Sequence, residues 1–327
     1  MTIDALLARR RIAPYVLETP LVRSDWLSDL AEAAVFLKLE SLQHTHSFKV
    51  RGAFNAVIAR LERASGQHPS RLVTASAGNH GRALALAAET FRLPLVVFAP
   101  SNAPRTKVEA IGRHGAELDG SARDYDEAER LAKAYARETG AEFISPYNDP
   151  DVIAGAGTIA LEVFQQSAGA VDAFVVPIGG GGLISGIAAT TKPIDPTCQI
   201  VGVEVEASCP FHTSVRAGRL VEIVPGATLA DGLAGNPDPE TITFDYIRRL
   251  VDEIVMVSEA DLSAGIRGLL EHDHLVSEGA GATGVAAVIA HRAHRGRRVR
   301  LKGRRVVIVM TGSNIDLAVL DQLVSSQ

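Results

Sequence analysis

Lys49 is the first residue whose setting calls for chemistry. The chain has six lysines, and this one stands in S-F-K-V-R-G (Ser47–Gly52), between Phe48 and Val50. An ammonium gains nothing from those neighbours. Either the stem lies along apolar surface with its head in water, or the amine is a nucleophile able to condense with a carbonyl compound. Gly179-Gly180-Gly181-Gly182 directly follows the apolar run A-F-V-V-P-I (Ala173–Ile178) and precedes a helical pattern. Consecutive glycines let backbone N–H groups converge on an anion at a helix's positive end, and they also make a tight strand-to-helix turn. Ser76-Ala77-Gly78-Asn79-His80 has the same placement, and its small residues leave N–H groups free for a carboxylate or simply for a helix start. Thr311-Gly-Ser-Asn314 ends the last apolar run, where α/β folds bind ligands, although such hydroxyls also cap helices.

The kind of phosphate can be narrowed. A P-loop needs Lys and then Ser or Thr after its last glycine, whereas Gly186 is followed by Ile187 and Ala188. The pattern G-x-G-x-x-G fits Gly279-Ala-Gly281-Ala-Thr-Gly284, but the acid expected about 20 residues on is absent, the chain there reading R-L-K-G-R-R. That stretch reads as a tight helix entry. An isolated phosphate site and a reactive lysine elsewhere suggest pyridoxal phosphate, whose aldehyde condenses with an amine.

The elements that must position these residues follow a βαβα rhythm, the mark of parallel sheets. Strands are expected at Arg71–Ser76, Leu95–Ala99, Glu142–Ser145, Ala173–Ile178, Ile200–Val205 and Val306–Met310. Helices are expected from about Asn79 to Glu89, around Thr106–His114 and at Tyr125–Glu138, with one more starting at the capping-box pattern Ser258–Asp261. Alternation in F-L-K-L-E makes Lys38 a strand residue. The chain turns near Tyr147–Pro150. The pattern predicts a small α/β domain over 52–148 inserted into a larger one made of 1–51 and 149–327.

Composition sets bounds. The 327 residues are 46% hydrophobic and 22% charged, typical of a globular chain, and the net charge of −5 supplies no field for nucleic acid or an anionic membrane. The most basic run, His291–Arg305, reads as a solvated helix end and loop. Two cysteines without a C-x-x-C partner argue against zinc or redox work and for a reducing compartment. No apolar run approaches the ~18 residues of a membrane span, and the N-terminus lacks the order of a signal peptide. A cytoplasmic protein is expected.

Taken together, these segments resemble the fold type II pyridoxal-phosphate enzymes (tryptophan synthase β-like, two parallel-sheet α/β domains), and within them the serine/threonine dehydratase and serine racemase branch. The resemblance rests on T-P-L (Thr19–Leu21), S-F-K-V-R-G, S-A-G-N-H-G (Ser76–Gly81), P-Y-N-D-P (Pro146–Pro150), G-T-I-A-L-E (Gly157–Glu162) and G-G-G-G-L (Gly179–Leu183), and it covers nearly the whole chain.

The resemblance implies roles. Lys49 would hold the cofactor covalently and, once released, act as the base on Cα; an apolar, partly buried setting lowers a lysine's pKa. Phe48 would pack near the ring, Asn79 would hydrogen-bond its phenolic oxygen, and Thr311, where the family usually has Ser, would face the pyridine nitrogen. Gly179, Gly180, Gly181, Gly182 and Leu183 would hold the phosphate. Ser76, Ala77, Gly78, Asn79 and His80 would take the substrate carboxylate. A small amino acid would be the ligand, and a homodimer the assembly.

Four departures bear on activity. Ala77 replaces the second serine of the racemase S-S-G-N-H, His46 replaces the glycine of T-G-S-F-K, and Ala156 replaces the glutamine of G-Q-G-T. The divalent-cation site of racemase-like members uses a Glu, a carbonyl and an Asp six residues after the Glu. Here Glu204 is followed at that spacing by Pro210, which has no side-chain oxygen. No metal is therefore expected, unless Glu206 completes a degenerate site with Glu204. His46, three residues before Lys49, either lies on the surface or reads a polar substrate group. The chain ends at Gln327 without room for the regulatory domain of biosynthetic threonine dehydratases, so feedback by isoleucine is not expected.

The leading expectation is an ammonia-lyase for an L-β-hydroxy amino acid. Alternatives are a serine racemase, a 3-hydroxyaspartate dehydratase, a β-replacement enzyme and a non-catalytic pyridoxal-phosphate carrier.

Overall fold

The computed structural model describes residues 3–64, 71–293 and 301–325. Its strands are β1 (Leu21–Arg23), β2 (Ala34–Leu39), β3 (Leu72–Ala75), β4 (Leu95–Pro100), β5 (Glu117–Ala122), β6 (Glu142–Phe143), β7 (Ala173–Pro177), β8 (Gln199–Val205), β9 (Glu253–Val257) and β10 (Arg305–Met310). The chain packs as two units, Met1–Leu17 with Lys49–Ala156 and Glu18–Phe48 with Gly157–Gln327. The chain passes from one to the other between Leu17 and Glu18, between Phe48 and Lys49 and between Ala156 and Gly157, whereas the sequence pattern kept 1–51 with 149–327 and put the passages at 51/52 and 148/149.

The first unit holds a four-stranded parallel sheet in the order β5-β4-β3-β6. Both faces are covered, which explains the nearly continuous apolar runs of β3 and β4. Leu72, Leu95 and Val97 face a cluster with Val50, Phe54, Leu84 and Ile111. The intervening Val73, Ala75, Val96 and Phe98 face Ala128 and Ala132 of the helix Tyr125–Thr139. β5 was not expected as a strand. It reads E-L-D-G-S-A and buries only Ala122. As an edge strand it needs one ladder of main-chain bonds to β4 and no apolar face.

The second unit holds a six-stranded sheet in the order β1-β2-β10-β7-β8-β9. β1 runs antiparallel to β2, and the four other neighbouring pairs are parallel. The helices Asp25–Ala31, Glu259–His272 and Gly279–Ala293 contribute Leu27, Leu262, Ile266 and Val285 to a core with Leu37, Val175, Val203 and Ile308. The capping box at Ser258 and Asp261 forms as expected.

The segment G-A-G-A-T-G opens the helix Gly279–Ala293 for packing reasons. A Cβ at Gly279 would collide with the Leu229 carbonyl and one at Gly281 with the Gly312 carbonyl, while one at Gly284 would lie 2.6 Å from Ile308 Cγ2. Among the described residues no helix is long and apolar enough to cross a membrane. Much of the basic run His291–Arg305, residues 294–300, lies outside the described residues.

Candidate active site

In the first unit, Lys49 is the first residue of the helix Lys49–Arg63 and is half-buried. Its Nζ donates to the Pro146 carbonyl at 3.0 Å. This gives part of P-Y-N-D-P a purpose. Asp149 of the same motif accepts from the Asp151 N–H (2.8 Å) at the start of the next helix, and its other oxygen pairs with Arg60 at 2.6 Å. Pro146 and Asp149 thus sit in a turn secured from two sides.

The loop S-A-G-N-H-G follows β3. Ser76 N–H is held by the Phe98 carbonyl at 3.0 Å, and Ser76 Oγ accepts from Gly78 N–H at 3.2 Å. The helix Asn79–Thr90 starts with Gly78 as its cap residue, so no side chain caps its first amides. Gly81 allows the helix to press on the loop, since a Cβ there would collide with the Ser76 carbonyl. Ala77, Gly78 and Asn79 remain half-buried.

His80 is buried, and its Nε2 lies 3.4 Å from the Ile144 carbonyl. Burial, reinforced by the charge of Lys49, pushes its pKa down to about 3 against the opposing pull of that carbonyl. The ring is therefore neutral. With Nε2–H donating to Ile144, Nδ1 keeps a lone pair that finds no hydrogen-bond partner among the described residues.

In the second unit, the loop before Lys49 is stitched to the end of β10. Phe48 N–H donates to the Thr311 carbonyl at 3.0 Å, Ser313 N–H donates to the His46 carbonyl at 3.1 Å, and Asn314 Nδ2 donates to the Thr45 carbonyl at 2.9 Å. Thr311 is buried and Phe48 half-buried. His46 is exposed, and Thr45 and His46 both adopt left-handed backbone, with φ of 59° and 58°. Such conformations are costly for residues other than glycine, above all for a β-branched one.

The glycine loop runs from the end of β7 into the helix Gly182–Ile194. Gly181 has φ 85°, and a Cβ there would lie 2.9 Å from Thr243 Oγ1 and from Ile247 Cδ1, so only glycine fits. Thr243 Oγ1 donates to the Gly180 carbonyl at 2.9 Å. A Cβ on Gly179 would be 3.2 Å from the Gly232 carbonyl oxygen. Leu183 is buried. Ser185, in the first turn of that helix, is buried with its Oγ unpartnered among the described residues.

Glu204, at the end of β8, is buried. Oε1 accepts from Phe211 N–H at 2.9 Å and Oε2 from His212 N–H at 2.6 Å. Burial pushes this carboxyl up to about 7 against the lowering effect of those two N–H groups. Glu206 is exposed.

Several participants were not read from the sequence. The Pro146 carbonyl could not be, because any residue carries one. Thr243 lies far along the chain from the glycines it secures. Ser185, three residues after Gly182, was within reach of a helix-start argument. The motif G-T-I-A-L-E ends in Glu162, which pairs with Lys38 at 2.7 Å.

The chain is similar to known proteins over nearly its whole length. Residues 12–312 match the family model described as "Pyridoxal-phosphate dependent enzyme". The chain is 39% identical to an L-threonine ammonia-lyase of Thermotoga maritima, over 97% of this chain and 76% of that one. It is 37% identical to an L-threo-3-hydroxyaspartate ammonia-lyase of a Pseudomonas species, over 96% of this chain and 95% of that one. Among solved structures it is similar to maize serine racemase, with a TM-score of 0.91 and 32% identity, covering 98% of this chain and 97% of that one. The chain therefore belongs to the pyridoxal-phosphate dependent enzymes, in the fold type II branch of serine/threonine dehydratases and serine racemases, and is a dehydratase-like ammonia-lyase that uses pyridoxal phosphate.

Proposed function

We propose that the enzyme converts an L-β-hydroxy amino acid, with L-threonine and L-serine as the first candidates, to a 2-oxo acid, releasing ammonia. The overall change is balanced: water leaves across Cα and Cβ, and water returns when the C–N bond is hydrolysed. Bound pyridoxal phosphate supplies an electron-withdrawing ring that acidifies the Cα–H bond.

The residues present fit that cofactor. At Gly179 and Gly181 the loop backs so closely on Gly232, Leu233, Thr243 and Ile247 that a side chain there would displace it, and the unpartnered Ser185 Oγ lies in the first turn of the helix that follows. Gly179–Gly182 and Leu183 would hold the phosphate. Lys49 would anchor the cofactor through Nζ. Freed from it, the same Nζ takes the α-proton, and the Pro146 carbonyl is a hydrogen-bond acceptor that orients the amine. Asn79 would donate to the ring's phenolic oxygen, and Phe48 would pack near the ring. Thr311 would offer the pyridine nitrogen a neutral hydroxyl. It cannot stabilise a pyridinium as a carboxylate would, which favours loss of the β-hydroxyl over prolonged storage of charge.

Ser76, Ala77, Gly78, Asn79 and His80 bind the substrate carboxylate, chiefly through N–H groups at the uncapped start of the helix Asn79–Thr90. His80, being neutral, contributes hydrogen bonding and shape rather than charge.

Ala77 carries the choice of reaction. It is a half-buried methyl in this loop, where racemase relatives have a serine able to deliver a proton opposite the lysine. Incubation with L-serine and L-threonine should give oxo acid and essentially no D-amino acid by chiral chromatography. D-serine forming as fast as pyruvate would reject the dehydratase reading in favour of a racemase. A second substrate reading, 3-hydroxyaspartate, is favoured by the Pseudomonas relative's 37% identity.

We further place the enzyme in the cytoplasm, supported by its two free cysteines, Cys198 and Cys209. The assembly is a homodimer, as the family resemblance implies, which light scattering on the purified holoenzyme tests.

A further inference from the structure

The residues around Glu204 do not fit the divalent cation that racemase-like members bind. Both carboxylate oxygens are engaged by backbone N–H groups, of Phe211 and His212. Position 210 is a proline in the first turn of the helix Pro210–Ala217. Among the described residues no group of three His, Cys, Asp or Glu side chains converges as a metal set.

We propose that Glu204 is a positioning residue for the glycine loop, with helix amides in the place of a cation. The contacts run unbroken within one unit. Glu204 clamps the end of β8 to the start of the helix Pro210–Ala217 and so closes the intervening turn. Within that turn, Ser208 N–H bonds the Val205 carbonyl at 2.9 Å. The turn in its own right holds the next segment, because the Ala207 carbonyl accepts from Gly226 N–H at 2.7 Å and Ser208 Oγ accepts from Gly235 N–H at 3.1 Å. Between those two glycines lies the short 3₁₀ turn Asp231–Leu233. The Gly232 carbonyl oxygen and Leu233 Cα each lie 3.2 Å from where a Cβ on Gly179 would be, so this turn is the wall behind the first glycine of the loop. A backbone cradle is only as well placed as the wall it leans on.

The inference rests on the reading that Gly179–Gly182 hold the cofactor phosphate. Apo-protein is prepared from the parent, Glu204→Gln, Gly181→Ala and Ile12→Ala, the last a buried core change in the first unit. Melting temperature is recorded with excess EDTA, MgCl2 or CaCl2, and the Kd for pyridoxal phosphate is measured by titration. The parent's melting temperature and Kd should not respond to chelator or cation. Glu204→Gln should weaken cofactor binding by about tenfold, while Ile12→Ala lowers melting temperature with less than a twofold change in Kd.

Cation-dependent stabilisation of the parent that Glu204→Gln abolishes would overturn the proposal, and so would a Glu204→Gln variant that binds the cofactor as the parent does. If Gly181→Ala leaves the Kd unchanged, the phosphate reading itself fails, separately from the role of Glu204. Should Glu204→Gln not fold, Ser208→Ala removes only the link to Gly235. A raised Kd then supports the path, and a parental Kd overturns it.

Discussion

Lys38 Nζ lies 2.7 Å from Glu162 Oε2, with side-chain exposures of 0% and 6%. The same amine donates to the Thr19 carbonyl at 2.6 Å and to Gln166 Oε1 at 3.1 Å. Thr19 Oγ1 in turn donates to the buried Glu40 at 2.6 Å. The ammonium is thus ringed by acceptors, one of them a carboxylate. That surrounding keeps it charged, anchored and poor as a nucleophile. Lys49, half-buried on a carbonyl, is in a different situation.

Reduction of the holoenzyme with borohydride, followed by peptide mapping, should therefore place the cofactor on Lys49 and leave Lys38 unlabelled. Label on Lys38 would remove Lys49 from the proposed chemistry.

The same pair sets a stability prediction. Removing one partner leaves a buried charge unpaired, so Lys38→Met or Glu162→Leu alone should cost about 3–5 kcal/mol in denaturant unfolding, while the double replacement should cost clearly less than the sum. Additive losses would show that the two side chains do not act as a pair.

Ala77→Ser restores a hydroxyl to the loop before the helix Asn79–Thr90. Some epimerisation of L-serine should appear alongside oxo-acid formation, read by chiral chromatography. If the variant forms no D-serine while remaining active, the hydroxyl at this position is not sufficient to reprotonate the opposite face.

His46 holds a backbone conformation suited to glycine, with φ 58°, and its side chain is exposed. His46→Gly should keep stability within about 1 kcal/mol of the parent, because relief of left-handed strain offsets the added freedom of the unfolded chain. If the imidazole reads an anionic substrate group, kcat/KM for L-threo-3-hydroxyaspartate should fall relative to L-serine. An unchanged ratio would make His46 a surface residue without a role in selection.

His80 supplies a pH test. Its pKa is about 3 in the folded chain against 6.5 for the ordinary side chain. Between these values the unfolded chain holds a proton that the folded one does not, so stability is fully present above about 6.5 and falls as pH drops toward 3. His80→Asn should flatten that part of the stability–pH curve. An unaltered slope would mean that His80 protonates without unfolding the protein.

Much of the architecture was legible because it depends on local pattern. Apolar runs of four to six residues between helical periods could only be strands covered on both faces, and β3, β4, β7, β8 and β10 lie where those runs put them. The polar edge strand β5 was not legible, since an edge needs backbone pairing and little else. The four-glycine loop could be read because its residue type is imposed by backbone geometry, and Gly181, with φ 85° and no room for a Cβ, shows that constraint. The family and its cofactor likewise followed from ordered motifs. Partners distant in sequence were decided only by tertiary structure. Pro146 offers its carbonyl to Lys49 from 97 residues away, Glu162 meets Lys38 from 124 away, and Glu204 turns to the amides of Phe211 and His212. A carbonyl has no sequence signature, and a carboxylate reads the same whether it binds a metal, a lysine or a helix end. Which of these it meets depends on how strands and helices bring remote segments together, and that is set by the packing of the whole unit.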